Sequence, residues 1–178
     1  MRRSLIYATL LCVCLLSIAG CAENRGGFIG DEYVNKITKI RLVPPAGWKV
    51  EEKQDLLHYF VNITSPVKDA LIDIRKQKVP QPPDATLPDK AIVTAFKNGL
   101  LKSARGSASI ESEGEIVFND GRPAYAVVIT GQAMDGKSII LLRDGALYII
   151  SYIVSKNNAY KDNVGLIEES LGTLDFNA

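Results

Sequence analysis

Apolar and polar positions alternate along most of this chain with a period of two, and in two places the period lengthens to that of a helix. Between Val34 and Val79 the pattern predicts strands broken by turns. Ile37-Thr38-Lys39-Ile40-Arg41-Leu42-Val43 reads as one strand that Pro44-Pro45-Ala46-Gly47 must stop, with Trp48 directly after the turn. His58-Tyr59-Phe60-Val61-Asn62-Ile63 and Ala70-Leu71-Ile72-Asp73-Ile74 are runs rich in aromatic and β-branched residues, separated by Ser65-Pro66. Pro80, Pro82, Pro83 and Pro88 make Val79–Pro88 a stiff, extended connector. Pro88-Asp89-Lys90 then opens a helix in which Ile92, Ala95, Phe96, Gly99 and Leu100 share a face, ending near Ser103-Ala104-Arg105-Gly106.

Asp-Gly occurs at Asp120-Gly121, Asp135-Gly136 and Asp144-Gly145, each time between runs of Val, Ile and Tyr. Glycine accepts the positive φ of a tight hairpin turn, so these pairs predict a four-stranded antiparallel meander over about 110–118, 122–133, 137–143 and 146–154. A second helix, from about Asn158 to Leu174, puts Tyr160, Val164, Ile167, Leu171 and Leu174 on one face. Each helix has a single apolar stripe, and the sheet is the surface available to cover it. The pattern therefore predicts one α+β domain over residues 33–178.

The chain begins differently. Arg2 and Arg3 precede an apolar stretch from Leu5 to Leu16, too short to span a bilayer and laid out like a secretory signal. It closes on Ile18-Ala19-Gly20-Cys21, which resembles the lipobox of bacterial lipoproteins. The resemblance implies that residues 1–20 are removed and that Cys21 carries the lipid. Several acyl chains would hold the protein on a membrane almost permanently. Residues 21–32 then read as the lipidated cysteine and a Gly-rich flexible tether. With Ala22 rather than Asp after the cysteine, lipoprotein sorting habits imply the outer membrane, facing the periplasm.

Composition removes several function classes. Lys and Arg number 21 against 20 Asp and Glu, with no basic run, which is a poor footprint for nucleic acid or anionic lipid headgroups. Cys12 and Cys14 lie in the discarded segment and Cys21 is taken by lipid, so no thiol remains for a disulfide, a nucleophile or a metal. His58 is the only histidine, and in an apolar strand it reads as a hydrogen-bonded structural residue. Gly131-Gln132-Ala133-Met134-Asp135-Gly136-Lys137-Ser138 spells a phosphate-binding P-loop letter for letter. That chemistry needs a helix after the loop, whereas Ile139–Arg143 reads as a strand, so nucleotide binding is not expected. No G-x-S-x-G is present, and no metal, cofactor or catalytic set is expected. Trp48 reads as packed under the sheet edge rather than as an exposed anchor, and Asn62-Ile63-Thr64 is a glycosylation sequon without an obvious use.

Three stretches together resemble the PsbP-like family: Pro44-Pro45-Ala46-Gly47-Trp48, the Asn119-Asp120-Gly121-Arg122-Pro123-Ala124-Tyr125 hairpin with its following strands, and Ile167-Glu168-Glu169-Ser170-Leu171. This family includes accessory subunits of the photosynthetic oxygen-evolving machinery and many bacterial lipoproteins, and a eukaryotic Ran-GTPase-binding protein shares its fold. The resemblance implies an antiparallel sheet sandwiched between helices, an α/β/α arrangement, and brings no shared catalytic or metal-binding residues. The expectation is a non-catalytic module, anchored at Cys21, that binds an envelope protein or complex. The alternative is a carrier or sensor of a lipid or small apolar ligand between sheet and helix, whose signature is an enclosed apolar cavity. An exposed apolar patch over a packed interior is the signature of the partner module. A hydrolase ranks third and would need His58 in a cleft beside a serine or carboxylate.

Overall fold

The computed structural model describes residues 26–79 and 85–177. Period-two patterning resolves into ten strands: β1 Gly27–Ile29, β2 Glu32–Asn35, β3 Ile40–Leu42, β4 Lys49–Gln54, β5 His58–Thr64, β6 Ala70–Lys78, β7 Ala108–Val117, β8 Pro123–Gly131, β9 Met134–Arg143 and β10 Ala146–Ser155. Two helices accompany them, α1 Lys90–Ser103 and α2 Tyr160–Gly172. β1, β2 and β3 form a small sheet, and the other seven strands form a large one in the order β4-β5-β6-β10-β9-β8-β7. Neighbours throughout are antiparallel.

Alternation decides what each face of the large sheet meets. Val61, Ile63, Ile72, Ile74, Leu141 and Ile150 point into the main core, together with Ile40 and Leu42 of β3 and Ile167 and Leu171 of α2. Each such side chain, fully removed from water, contributes roughly 1.5–3 kcal/mol. The intervening residues of β9 and β10, Ile140, Leu142, Leu147 and Ile149, meet Ile92 and Phe96 of α1 in a second cluster. The predicted stripe of α2 is the one used, whereas of the stripe predicted for α1 only Ile92 and Phe96 pack on the sheet, and the residue that α1 buries, Val93, lies outside it. Asp89 caps α1, its carboxylate accepting the Ala91 N–H at 2.6 Å.

Polar ties fasten the layers. Asp69, in the β5–β6 turn, accepts from Ser65 Oγ at 2.7 Å, Asn157 Nδ2 at 2.9 Å and Asn163 Nδ2 at 3.0 Å, joining that turn to the start of α2. Arg41 of β3 exchanges backbone hydrogen bonds with Asp175 at 2.8 and 2.9 Å, and Ser170 Oγ donates to the Val43 carbonyl at 2.7 Å.

Besides adding β4, which no apolar alternation predicts, the structure departs from the sequence pattern in three places. First, residues 37–43 are not one strand. Asn35 is fully buried, and its Oδ1 accepts from the Ile37 and Thr38 amides and from Thr38 Oγ1. This side-chain turn, with Lys39 at φ +58°, reverses the chain between β2 and β3. Second, Asp135-Gly136 is no turn. The β8–β9 hairpin turns at Gln132-Ala133, and Asp135 and Gly136 lie in β9 opposite Thr130 and Ile129. Gly136 is needed there for another reason: a Cβ would stand 2.7 Å from the Tyr152 carbonyl oxygen. Asp120-Gly121 and Asp144-Gly145 do form turns, with Gly121 at φ +81° and Gly145 at φ +69°. Third, Gly27–Ile29, within the segment read as tether, pairs as β1 with β2 through a turn in which Gly30 takes φ +63°. The signal segment, Cys21 and residues 80–84 of the proline connector lie outside the described residues.

Candidate functional site

α1 covers only part of its face of the large sheet. Phe96 and Ile92 sit over β9 and β10, and beside them a groove of about 740 Å³ runs between the helix and strands β5, β6, β10 and β9. Its roof is Ala95, Phe96, Gly99 and Leu100. Cross-strand pairing makes its floor. Asn62 stands opposite Asp73, Asp73 opposite Ser151, and Ser151 opposite Ser138, so four polar side chains form one row across four strands. Apolar residues flank the row, Leu71, Ile153 and Ile129 on one side and Phe60 on the other.

The row is only partly satisfied. Ser138 and Ser151 hydrogen-bond each other at 2.8 Å. Asp73 is buried and takes Arg75 Nε at 2.6 Å, while Arg75 lies over the Phe60 ring at 5.3 Å. Burial pushes the Asp73 carboxyl above the usual range, and the Arg75 charge opposes that rise. Asn62 Oδ1 is buried and has no hydrogen-bond partner.

A second concavity, about 730 Å³, lies at the opposite side of the fold's apolar core. The Pro44–Gly47 turn forms one wall, with Gly47 at φ +78° and the Trp48 amide donating to the Pro45 carbonyl at 3.1 Å. Leu166 and Glu169 of α2 form another wall, and Phe28 of the β1–β2 hairpin the third. Trp48 is 8% exposed and belongs to the core, so it forms the back of the cleft rather than a projecting anchor. The exposed apolar residues at the rim of the cleft are Phe28, Val43 and Leu166, exposed by 58%, 40% and 40%.

The remaining sequence candidates are dispersed. Gly131 ends β8, while Lys137 and Ser138 pair across to Val128 and Val127 within β9, so the P-loop letters carry no helix N-terminus and no converging amides. His58 begins β5, its Nδ1 3.0 Å from Asp55 Oδ1 and its ring 5.6 Å from that of Phe60. The Asp55 carboxylate is held below its usual range first by the Leu57 amide, and it also accepts the His58 amide. The pair closes the β4–β5 turn, and no serine hydroxyl is among the described partners of His58. Among the described residues no group of three His, Cys, Asp or Glu could hold a metal, and no helix is long and apolar enough to cross a membrane. The row on the groove floor is not apparent from the sequence pattern alone. Its signal was present as Asn62, Asp73, Ser138 and Ser151, polar residues breaking otherwise apolar strands.

This architecture has a solved counterpart. It is similar to the solution structure of cyanobacterial PsbP (CyanoP) from Synechocystis sp. PCC 6803, with a TM-score of 0.58 and 11% identity, over 88% of this chain and 95% of that one. The fold is PsbP-like. A crystal structure of a protein of unknown function from Pseudomonas aeruginosa, PA94, described as a putative regulator, aligns with a TM-score of 0.48 at 15% identity, over 81% of this chain and 96% of that one. No protein-family model matches this PsbP-like chain, nor does any curated protein.

Proposed function

We propose that this PsbP-like chain is a lipid-anchored, non-catalytic module that binds a protein of the cell envelope, with its sheet held between α1 and α2 as an α/β/α sandwich. The observation that carries the reading is the exposed apolar trio of Phe28, Val43 and Leu166 around a cleft in front of a filled core. The position of that cleft favours a partner at the membrane. With the lipid on Cys21, the chain up to Gly27 reaches at most about 20 Å, so β1 and the cleft beside it stay near the bilayer. An outer-membrane, periplasm-facing location follows the sorting habit read from Ala22. The carrier reading asks for an enclosed apolar cavity, whereas both concavities described above are open to solvent and partly polar.

Two experiments test this. Labelling with a palmitate analogue should mark the protein and be lost in Cys21→Ser, which should also leave the membrane fraction; an unlabelled protein would end the anchor. Crosslinking in native membranes should then capture one recurring protein with the parent chain and lose it with Phe28→Glu or Leu166→Glu, both exposed positions. Capture that is indifferent to both substitutions would remove the cleft as the interface. A stoichiometric bound lipid without a recurring protein would replace the module by the carrier.

A further inference from the structure

The groove beneath α1 has features that neither the core nor a protein-docking face explains. Its floor places an unpartnered, buried acceptor, Asn62 Oδ1, beside the buried Asp73 carboxylate. An unmet buried polar group of this kind is costly and uncommon in native proteins. Its roof carries Gly99 in the interior of a helix, where glycine weakens the helix relative to alanine. A Cβ at Gly99 would meet nothing within 4 Å, so packing does not demand glycine there. What glycine does preserve is the open space of the groove.

We propose that this groove is a binding site for a small amphiphile: an apolar body with one polar end that donates hydrogen bonds, such as an ammonium, hydroxyl or amide N–H. The volume of about 740 Å³ lies within the range of small-molecule sites. Leu71, Ile129, Ile153 and Leu100 supply apolar contact for the body. Two acceptors lie at the floor for the polar end: Asn62 Oδ1, buried and unmet, and the oxygen of Asp73 that the Arg75 hydrogen bond leaves free. Lys53 and Arg75 line the groove together with Asp55 and Asp73, so its net charge favours neither sign; Arg75 is already committed to Asp73 and to the Phe60 ring, and the unmet acceptor is what favours a donor over an anion. The site is separate from the Trp48 cleft and does not depend on the protein-binding reading, which the crosslinking of Phe28 and Leu166 variants tests on its own.

The test uses the full chain in phosphatidylcholine nanodiscs and two soluble probes observed by fluorine NMR, 4-(trifluoromethyl)phenethylamine and 4-(trifluoromethyl)phenylacetate. They share a ring and differ in whether the polar end donates. The amine should bind at least about tenfold more tightly than the acid. Asn62→Leu should weaken the amine about tenfold, as expected for one hydrogen bond to a charged group, and leave the acid unchanged. Gly99→Leu fills the groove from the roof while favouring the helix, so it should abolish binding without loss of folding. Equal binding of the two probes would overturn the donor preference. Amine binding that survives Gly99→Leu would overturn the site, and so would a groove found occupied by a second copy or by the chain's own connector.

Discussion

At residue scale, two glycines in the same sequence make opposite demands. The Tyr152 carbonyl oxygen closes on Gly136 and is itself part of the β9–β10 ladder, so it cannot retreat without breaking sheet hydrogen bonds. Gly136→Ala should therefore lower stability by about 1–3 kcal/mol in urea unfolding, the usual cost of overpacking. Gly99 has open space and a helical backbone, and Gly99→Ala should raise stability by about 0.5–1 kcal/mol in the same measurement. If both substitutions moved stability the same way, the local contacts assigned to these positions would be wrong. Sequence alone does not separate the two cases. Asp135-Gly136 carries the same letters as the Asp-Gly turns at 120 and 144, and only the register of the following strand β10 shows which glycine turns and which makes room.

At the scale of elements, local signals were legible wherever local chemistry decides the outcome. Asp89 was readable as part of a helix start, and it caps α1. Because that helix buries few side chains, Val93 fully and Ile92 and Phe96 in part, its cap should matter to it out of proportion. Asp89→Ala should cost about 1 kcal/mol. Amide exchange should accelerate in α1 while β5, β6 and β10 keep their protection; equal acceleration throughout would mean that α1 and the sheet open as one unit. The elements missed are those decided by distant partners. β4, Lys49–Gln54, is polar at almost every position and becomes a strand because β5 offers it an edge. The break between β2 and β3 depends on Asn35 being buried, where its amide donates to the Tyr33 and Tyr59 hydroxyls at 2.9 and 3.1 Å. Nothing adjacent in the chain reports that burial. The groove row is the same kind of feature: each of Asn62, Asp73, Ser138 and Ser151 is visible as an oddity in its strand, but only the order β5-β6-β10-β9 sets them side by side.

At the scale of the whole molecule, two buried or bridging aspartates give stability opposite dependences on pH. Asp73 titrates above the ordinary range in the fold because burial penalises its charge. The folded state then holds more protons than the unfolded chain between the ordinary carboxylate value and the raised one, so stability falls as pH rises through that window. At neutral pH the charged Asp73 is a burden that Arg75 offsets only in part. Asp69 is the reverse. Its hydrogen bonds, first from Asn157 and then from Ser65 and Asn163, hold its carboxyl below the ordinary range. Its contribution is present above the ordinary value and is lost as pH falls through the lowered one. Asp73→Asn should therefore be more stable than the parent in urea at pH 7, with the difference vanishing below about pH 3, where both folded and unfolded carboxyls are protonated. Asp69→Asn should be less stable than the parent at pH 7, and that deficit should shrink on acidification. A parent more stable than Asp73→Asn at neutral pH would mean that the Arg75 bridge outweighs burial. A carboxylate kept at a stability cost on the floor of an open groove, next to an unmet acceptor, is what a donor-binding site requires, so the sign of that single comparison bears on the ligand as well as on the fold.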